Sequence, residues 1–317
     1  MNEQPELSLR VASRRLVAED ILAFDLVESN GGLLPAFEPG AHINLHLPGG
    51  HIRSYSLYGR PDERDRYRIA VLRAEDGRGG SKVVHDALQN GDVVMTSAPA
   101  NCFALVEAPM TWLFAGGIGI TPLICMAWSM WLRGRRFALH YCARSALKMA
   151  FRDELANLPF ADSVHLHFND DVLPLDPASA LRESASEAHV YTCGPAGFID
   201  WIEQAARSVG IAGSQLHHER FSGETDSSGP EFEVYLATSK RRLPVRPGET
   251  MLEAITRAGI SVNAVCEQGV CGACLTPVLD GKPDHRDQVL TDEEREANRL
   301  VALCCSRSFS TCLTLDL

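Results

Sequence analysis

The chain has 317 residues, 45% of them hydrophobic, and a formal net charge of −11. That length suits two or three domains at ~100–200 residues each. The acidic balance argues against nucleic acid as a partner, because phosphate binding needs concentrated Lys and Arg; it fits a soluble protein that docks on another protein. The opening residues, MNEQPELSLR, lack the basic start and apolar core of a signal peptide. No apolar run approaches the ~18–20 residues of a membrane span. We therefore expect a cytoplasmic protein with no membrane attachment, and a monomer. Of the ten cysteines, six lie after position 265; in a reducing compartment they are expected to be thiols or cluster ligands rather than disulfides.

Residues 6–106 read as short strands with partial alternation, LSLRVASRRLV, ILAFDLVES, HINLHL, HIRSYSLYG and YRIAVLRA, separated by Gly, Pro and Asp turns. That spacing predicts a small antiparallel β-barrel over 1–106, interrupted by one helix, SKVVHDALQ. Over 107–222 strands alternate with helices: TWLFAG, TPLICMAWSMWLR, FALHYCA, AFRDELANL, SVHLHFN, AHVYTCG and PAGFIDWIEQAARSVG. Alternation predicts an α/β domain with a mainly parallel sheet and helices on both faces. Residues 223–230, GETDSSGP, have the composition of a linker. From 231 to 317 the chain predicts a hairpin (EFEVYLA, KRRLPVRP), a helix ending at Gly259, and then the cysteines.

Three segments of the first two domains carry chemistry. Arg53-Ser54-Tyr55-Ser56 lies on a barrel strand, and alternation puts Ser54 and Ser56 on one face, Arg53 and Tyr55 on the other. A cation, an aromatic wall and hydroxyl donors are what a flavin requires. Gly79-Gly80-Ser81 opens a helix with Ser81 as an N-cap, a geometry that favours a phosphate and is also an ordinary cap. Gly116-Gly117-Ile118-Gly119-Ile120-Thr121-Pro122 joins a strand to a helix, with Thr121 as N-cap and Pro122 in the first turn. A glycine turn there admits a dinucleotide pyrophosphate, although Pro122 stands where the general fingerprint has its third Gly. Arg144 and Ser145 end the second strand, on the adenosine side, and favour a 2′-phosphate; Asp170 and Asp171 end the third and are candidates for ribose hydroxyls. His217-His218-Glu219 invites a metal reading, but adjacent histidines on a strand point to opposite sides.

Cys266, Cys271, Cys274 and Cys304 have the spacing C-x4-C-x2-C-x29-C, the plant-type [2Fe–2S] pattern, in which one short loop presents three thiolates and a fourth arrives from elsewhere. Structural zinc sites favour two repeated Cys pairs instead. Spacing alone leaves the fourth ligand open between Cys304 and Cys305. Of the other cysteines, Cys102, Cys125, Cys142, Cys305 and Cys312 are expected to be small buried hydrophobes.

The segment CEQGVCGACLTPVLDGKPDHRDQVLTDEE, followed by CCSR and a terminal LDL, resembles the phthalate dioxygenase reductase and vanillate O-demethylase reductase family, over essentially the whole chain. The resemblance implies a flavin barrel, a nicotinamide domain and a C-terminal β-grasp plant-type ferredoxin domain. It also implies FMN, with FAD as the alternative, NADH, and a [2Fe–2S] cluster whose last ligand is Cys304. Arg53 is then expected near the flavin phosphate, Tyr55 along the ribityl chain and ring, and Ser56 near N5. The strand carrying Ile69 and Val71 is expected along the ring edge. Cys193-Gly194-Pro195 resembles the element beside the nicotinamide, with Glu219 near it and Phe221 covering the flavin. The expected partner is a separate Rieske-type oxygenase, since the chain shows neither a Rieske motif nor a mononuclear iron site of its own.

Overall fold

The structure, a computed structural model, describes residues 6–48, 51–74, 79–169, 174–182, 187–221, 226–270, 272–287 and 289–317. The chain divides into two compact units, Met1–Phe221 and Ser222–Leu317. Among the described residues, no helix is long and apolar enough to cross a membrane.

The first unit begins with an antiparallel sheet of β1 (Glu6–Ala18), β2 (Ile21–Glu28), β3 (Ala41–Leu47), β4 (His51–Ser56), β5 (Tyr67–Leu72), β6 (Val93–Ser97) and β7 (Ala100–Asn101). The order is β4-β3-β6-β1-β2-β5, with β7 paired to β3. Just beyond β4, the Tyr58 N–H donates to the Arg68 carbonyl at 2.9 Å. The two ends of the order therefore meet, and the sheet curls into a barrel filled by Leu9, Phe24, Leu26, Ile43, Leu45 and Tyr67. Helix α1 (Gly80–Ala87) adds Val84 to that core.

The parallel sheet follows: β8 (Met110–Gly116), β9 (Phe137–Ala143), β10 (Val164–Phe168), β11 (Ala188–Cys193) and β12 (Leu216–Glu219), in the order β10-β9-β8-β11-β12. Helix α2 (Ile120–Leu132) packs on Leu113, Leu139 and Tyr141. The sequence predicts a helix over 150–158, but α3 is only Arg152–Leu155. Phe151 is left-handed at φ 61°, with its ring buried, so the right-handed helix cannot begin before it. Helices α4 (Pro177–Leu181) and α5 (Ala196–Ser208) cover the other face, on Phe114 and Val190. The strand order reverses between β8 and β11. Their carboxyl ends thus open the crevice where sheets of this type bind ligands.

The second unit has β13 (Phe232–Leu236) and β14 (Arg241–Val245) as the hairpin that the sequence predicts, then α6 (Met251–Arg257). Thr250 caps α6 reciprocally with Glu253. Next come β15 (Leu275–Asp280), β16 (Pro283–Asp284), α7 (Asp292–Ala297), β17 (Leu300–Ala302), β18 (Arg307–Ser308) and β19 (Cys312–Leu315). The mixed sheet runs β14-β13-β19-β15-β17, with β13 and β19 parallel, while β16 pairs with β18. Met251, Ala254 and Ile255 of α6 pack on Phe232, Val234 and Leu313 across the sheet, a β-grasp arrangement.

Arg307 is the largest fully buried side chain among the described residues. It donates to the carbonyls of Ser227 at 2.8 Å, Glu249 at 2.6 Å, Pro230 at 2.8 Å and Arg246 at 3.3 Å. Arg286 donates to the Asp226 and Ser228 carbonyls at 2.5 and 2.8 Å. The later part of the linker-like segment, residues 226–230, is therefore fastened to the second unit. Arg307→Ala leaves these carbonyls without a charged donor and is expected to destabilise the unit by about 3 kcal/mol. Amide hydrogen exchange in β13 and β19 would then accelerate; unchanged protection would contradict this.

Candidate functional site

On β4 the predicted alternation is present. Ser54 donates to Asn44 Oδ1 at 2.8 Å on the adjoining strand, while Tyr55 packs with the barrel core on the opposite face. Burial pushes the Tyr55 phenol above its ordinary range. Arg53 lies across the start of α1: a Cβ on Gly80 would come within 2.5 Å of its Nε. Helix α1 starts from Gly79 at φ 81° and has no side-chain cap. Ser81 is therefore not the N-cap but sits inside the first turn, and its hydroxyl accepts the Ala74 N–H at 3.1 Å. The uncapped N–H groups and the adjacent guanidinium fit a phosphate. Ile69 and Val71 turn into the barrel core and are fully buried, so β5 can offer a ring edge only its backbone and its alternate residues.

At the switch point, Gly119 packs directly on the end of β11; a Cβ there would come within 2.2 Å of the Cys193 carbonyl oxygen. Only glycine allows the two strand ends to approach so closely. The same holds where the Phe198 ring lies on Gly116 and Gly194, a contact that nothing in the sequence marks. Residues Gly117–Gly119 form a single 3-10 turn that leads into α2, whose N-cap is Gly119. Thr121 is thus not the cap either. It lies in the first turn with Pro122 and donates to the Ile118 carbonyl at 3.1 Å. The preceding 3-10 turn has moved the helix start one residue upstream of the expected cap.

Three side chains from separate elements meet beside this crevice. Ser56, at the end of β4, donates to Glu219 Oε2 at 3.4 Å, at the end of β12. Cys193, ending β11, is in register with Glu219 and wholly buried. Burial, reinforced by Glu219, pushes its thiol up, so it stays neutral. Glu219 keeps a little exposed surface, but its carboxyl is enclosed by protein. Loss of solvation pushes it up to about 8, against a smaller opposing effect of the Ser56 hydrogen bond. Phe221, two residues on, is 37% exposed.

The Glu219 shift predicts a pH dependence. An acid near 4.5 when unfolded and about 8 when folded binds more protons in the native state between those values. Stability should therefore fall as pH rises through that window and level off above it. Glu219→Gln removes the loss. By urea unfolding it is expected to be ~1–3 kcal/mol more stable than the parent at pH 8 and indistinguishable at pH 4; an equal difference at both would contradict this.

Farther along the strand ends, Arg144 is exposed after β9. Asp170 and Asp171 lie outside the described residues. The histidines separate as alternation requires. His217 Nε2 pairs with His189 Nδ1 at 2.8 Å, while His218 reaches Glu203 at 2.7 Å on the other face.

In the second unit, the Cys304 sulfur has those of Cys266, Cys274 and Cys305 as neighbours. Cys271 lies outside the described residues. The Gln268 N–H donates to Cys266 Sγ at 3.3 Å and the Gly269 N–H to Cys304 Sγ at 3.2 Å. Sulfurs gathered under backbone donors fit an iron–sulfur cluster. The other cysteines depart from expectation in part. Cys125 and Cys305 are buried, Cys142 and Cys312 are half-buried, and Cys102 is exposed. Cys102 sits in the turn after β7, where the next residue, Phe103, takes the core position.

A family model described as a 2Fe-2S iron-sulfur cluster binding domain matches residues 234–308. Vanillate O-demethylase oxidoreductase of Pseudomonas sp. (strain HR199 / DSM 7063) is 45% identical over 312 residues, 97% of this chain and 98% of that protein. The crystal structure of an intact type IV self-sufficient cytochrome P450 monooxygenase matches 98% of this chain over 41% of its own, at 36% identity and a TM-score of 0.86. Phthalate dioxygenase reductase, described as a modular structure for electron transfer from pyridine nucleotides to [2Fe–2S], matches over 98% of both chains, at 36% identity and a TM-score of 0.77. With the barrel, the parallel sheet and the cysteine-bearing β-grasp unit in the same succession, the chain is an oxidoreductase that belongs to the family of phthalate dioxygenase reductase and the vanillate O-demethylase oxidoreductases.

Proposed function

We propose that this chain is the reductase component of a two-component Rieske-type oxygenase or demethylase, carrying electrons from NADH through FMN and a [2Fe–2S] cluster to a separate oxygenase. The observation that carries this reading is the meeting of Ser56 from the barrel with Glu219 and Cys193 from the parallel sheet, at the switch-point crevice. A bound flavin supplies the conversion such a chain requires, exchanging two electrons with a nicotinamide and one with a cluster.

The chain's own residues bind and orient. Arg53 and the free N–H groups over Gly79, Gly80 and Ser81 hold the flavin phosphate. Tyr55 would line the ribityl chain and ring, Ser54 supports β4 through Asn44, and Ser56, whose hydroxyl meets Glu219 Oε2, would stand near the ring N5. Gly116, Gly117 and Gly119 admit the pyrophosphate to the first turn of α2, which contains Thr121 and Pro122. Arg144 and Asp170 serve the adenosine side. Cys193, Gly194 and Pro195 flank the nicotinamide, and Phe221 shields the flavin ring from water. Glu219 holds its proton at neutral pH, so the crevice presents a neutral surface to the nicotinamide. Cys266, Cys271, Cys274 and Cys304 are the cluster ligands. The protein acts as a cytoplasmic monomer, where its cysteines stay reduced.

Coupling to the acceptor tests the reading. Under NADH, reduction of a purified Rieske-type oxygenase should saturate with oxygenase concentration. The match to part of a P450 monooxygenase favours a second reading, in which the acceptor is a P450 haem. Saturable transfer to a P450, with none to Rieske oxygenases, would decide for it.

A further inference from the structure

A fifth thiol reaches the cluster loop. Cys305 follows Cys304 in the turn after β17, where the Ser306 N–H closes on the Ala302 carbonyl at 3.0 Å. In a strand, adjacent side chains point to opposite faces. In this turn, both sulfurs face the loop that carries the other ligands. A Cβ on Gly269 would lie within 2.6 Å of the Cys305 sulfur, and the Gly269 N–H donates to Cys304 Sγ at 3.2 Å. The same loop residue thus touches both thiols. Cys305 is 1% exposed, and its sulfur is a neighbour of the Cys304 sulfur. Its thiol also donates to the Ala302 carbonyl at 4.0 Å and lies 3.9 Å from Ser306 Oγ, long contacts within its own turn.

We propose that Cys305 is a reserve ligand for the cluster, able to take the iron bond that Cys304 makes. The proposal rests on the assignment of the cluster to these cysteines. In the exchange, the Cys305 thiol releases its proton to solvent as its sulfur bonds iron; the bond to Cys304 breaks, and that sulfur takes up a proton. No electron is transferred. The ordinary role for a buried thiol, a small hydrophobe in the core, leads to the opposite result. Cys266 and Cys274 have no adjacent cysteine in the chain, so the reserve serves position 304 alone.

The test uses the full chain as parent, Cys304→Ser, Cys304→Ala, Cys305→Ser and the double Cys304→Ser/Cys305→Ser variant. Each is reconstituted anaerobically with ferrous iron and sulfide, then assayed for bound iron, visible absorption and the EPR of the reduced cluster. Cys305→Ser should match the parent. Both position-304 variants should keep more than about half the parent's iron with shifted g values, and the double variant less than about a tenth. Loss of iron from both position-304 variants, equal to that of the double variant, would overturn the proposal, as would a double variant that still holds the cluster. A parent that binds no cluster would instead refute the cluster assignment, and the reserve ligand with it.

Discussion

Cys274→Ser is expected to abolish electron delivery to the oxygenase, by about 100-fold or more, while NADH oxidation with ferricyanide stays near the parent rate. Serine oxygen is a hard ligand and replaces thiolate poorly in iron–sulfur sites. Cys274 is buried in the core of the second unit, its sulfur within reach of Cys304, with no second cysteine beside it in the chain. The residues proposed for the flavin and the nicotinamide all lie in the first unit, Met1–Phe221. The two assays therefore separate the two halves of the path. Retained oxygenase reduction at the parent rate would show that the cysteine loop is not on the route.

Ser56→Ala is expected to slow flavin reduction by NADH about 10- to 100-fold, with less than about a tenfold change in flavin affinity. Ser56 is buried, and its hydroxyl reaches Glu219 Oε2 at 3.4 Å from a different sheet. Phosphate binding is assigned to Arg53 and α1, at the other end of the cofactor, so affinity has other sources. In the proposed role, the serine's contribution is to orientation rather than to affinity. Single-turnover reduction in a stopped-flow instrument reads the effect directly. An unchanged rate constant, or a loss confined to flavin binding, would show that Ser56 only packs. The companion Glu219→Gln variant separates the pair, since it alters the pH dependence of stability while leaving Ser56 an oxygen to which it can donate.

The family and the succession of three folds were legible in the chain because each rests on a local pattern. Spacing of the cysteines, alternation in the barrel strands and the glycine turn after TWLFAG need no knowledge of distant contacts. The helix starts were less legible. Ser81 and Thr121 have the chemistry of N-caps, but in each case a glycine backbone begins the helix earlier, and the hydroxyl finds another partner. Ile69 and Val71 lie on the expected strand, yet alternation alone does not say which face is the inside of a closed barrel. The contact between Ser56 and Glu219 spans 163 residues and two sheets, and no local pattern encodes it. Phe198, lying on Gly116 and Gly194, and Cys305, lying against Gly269, are of the same kind. Their roles come from what tertiary packing brings to them.

A chain that holds both a flavin and a [2Fe–2S] cluster should have both reduced by NADH. The most direct measurement is the absorption spectrum of the purified protein before and after anaerobic NADH, with the extracted flavin identified by chromatography. Flavin bands over a broad iron–sulfur envelope, bleached by NADH and with FMN released, are the predicted result. A colourless protein, or flavin without iron and sulfide, would show that the four cysteines do not hold a cluster in a flavoprotein.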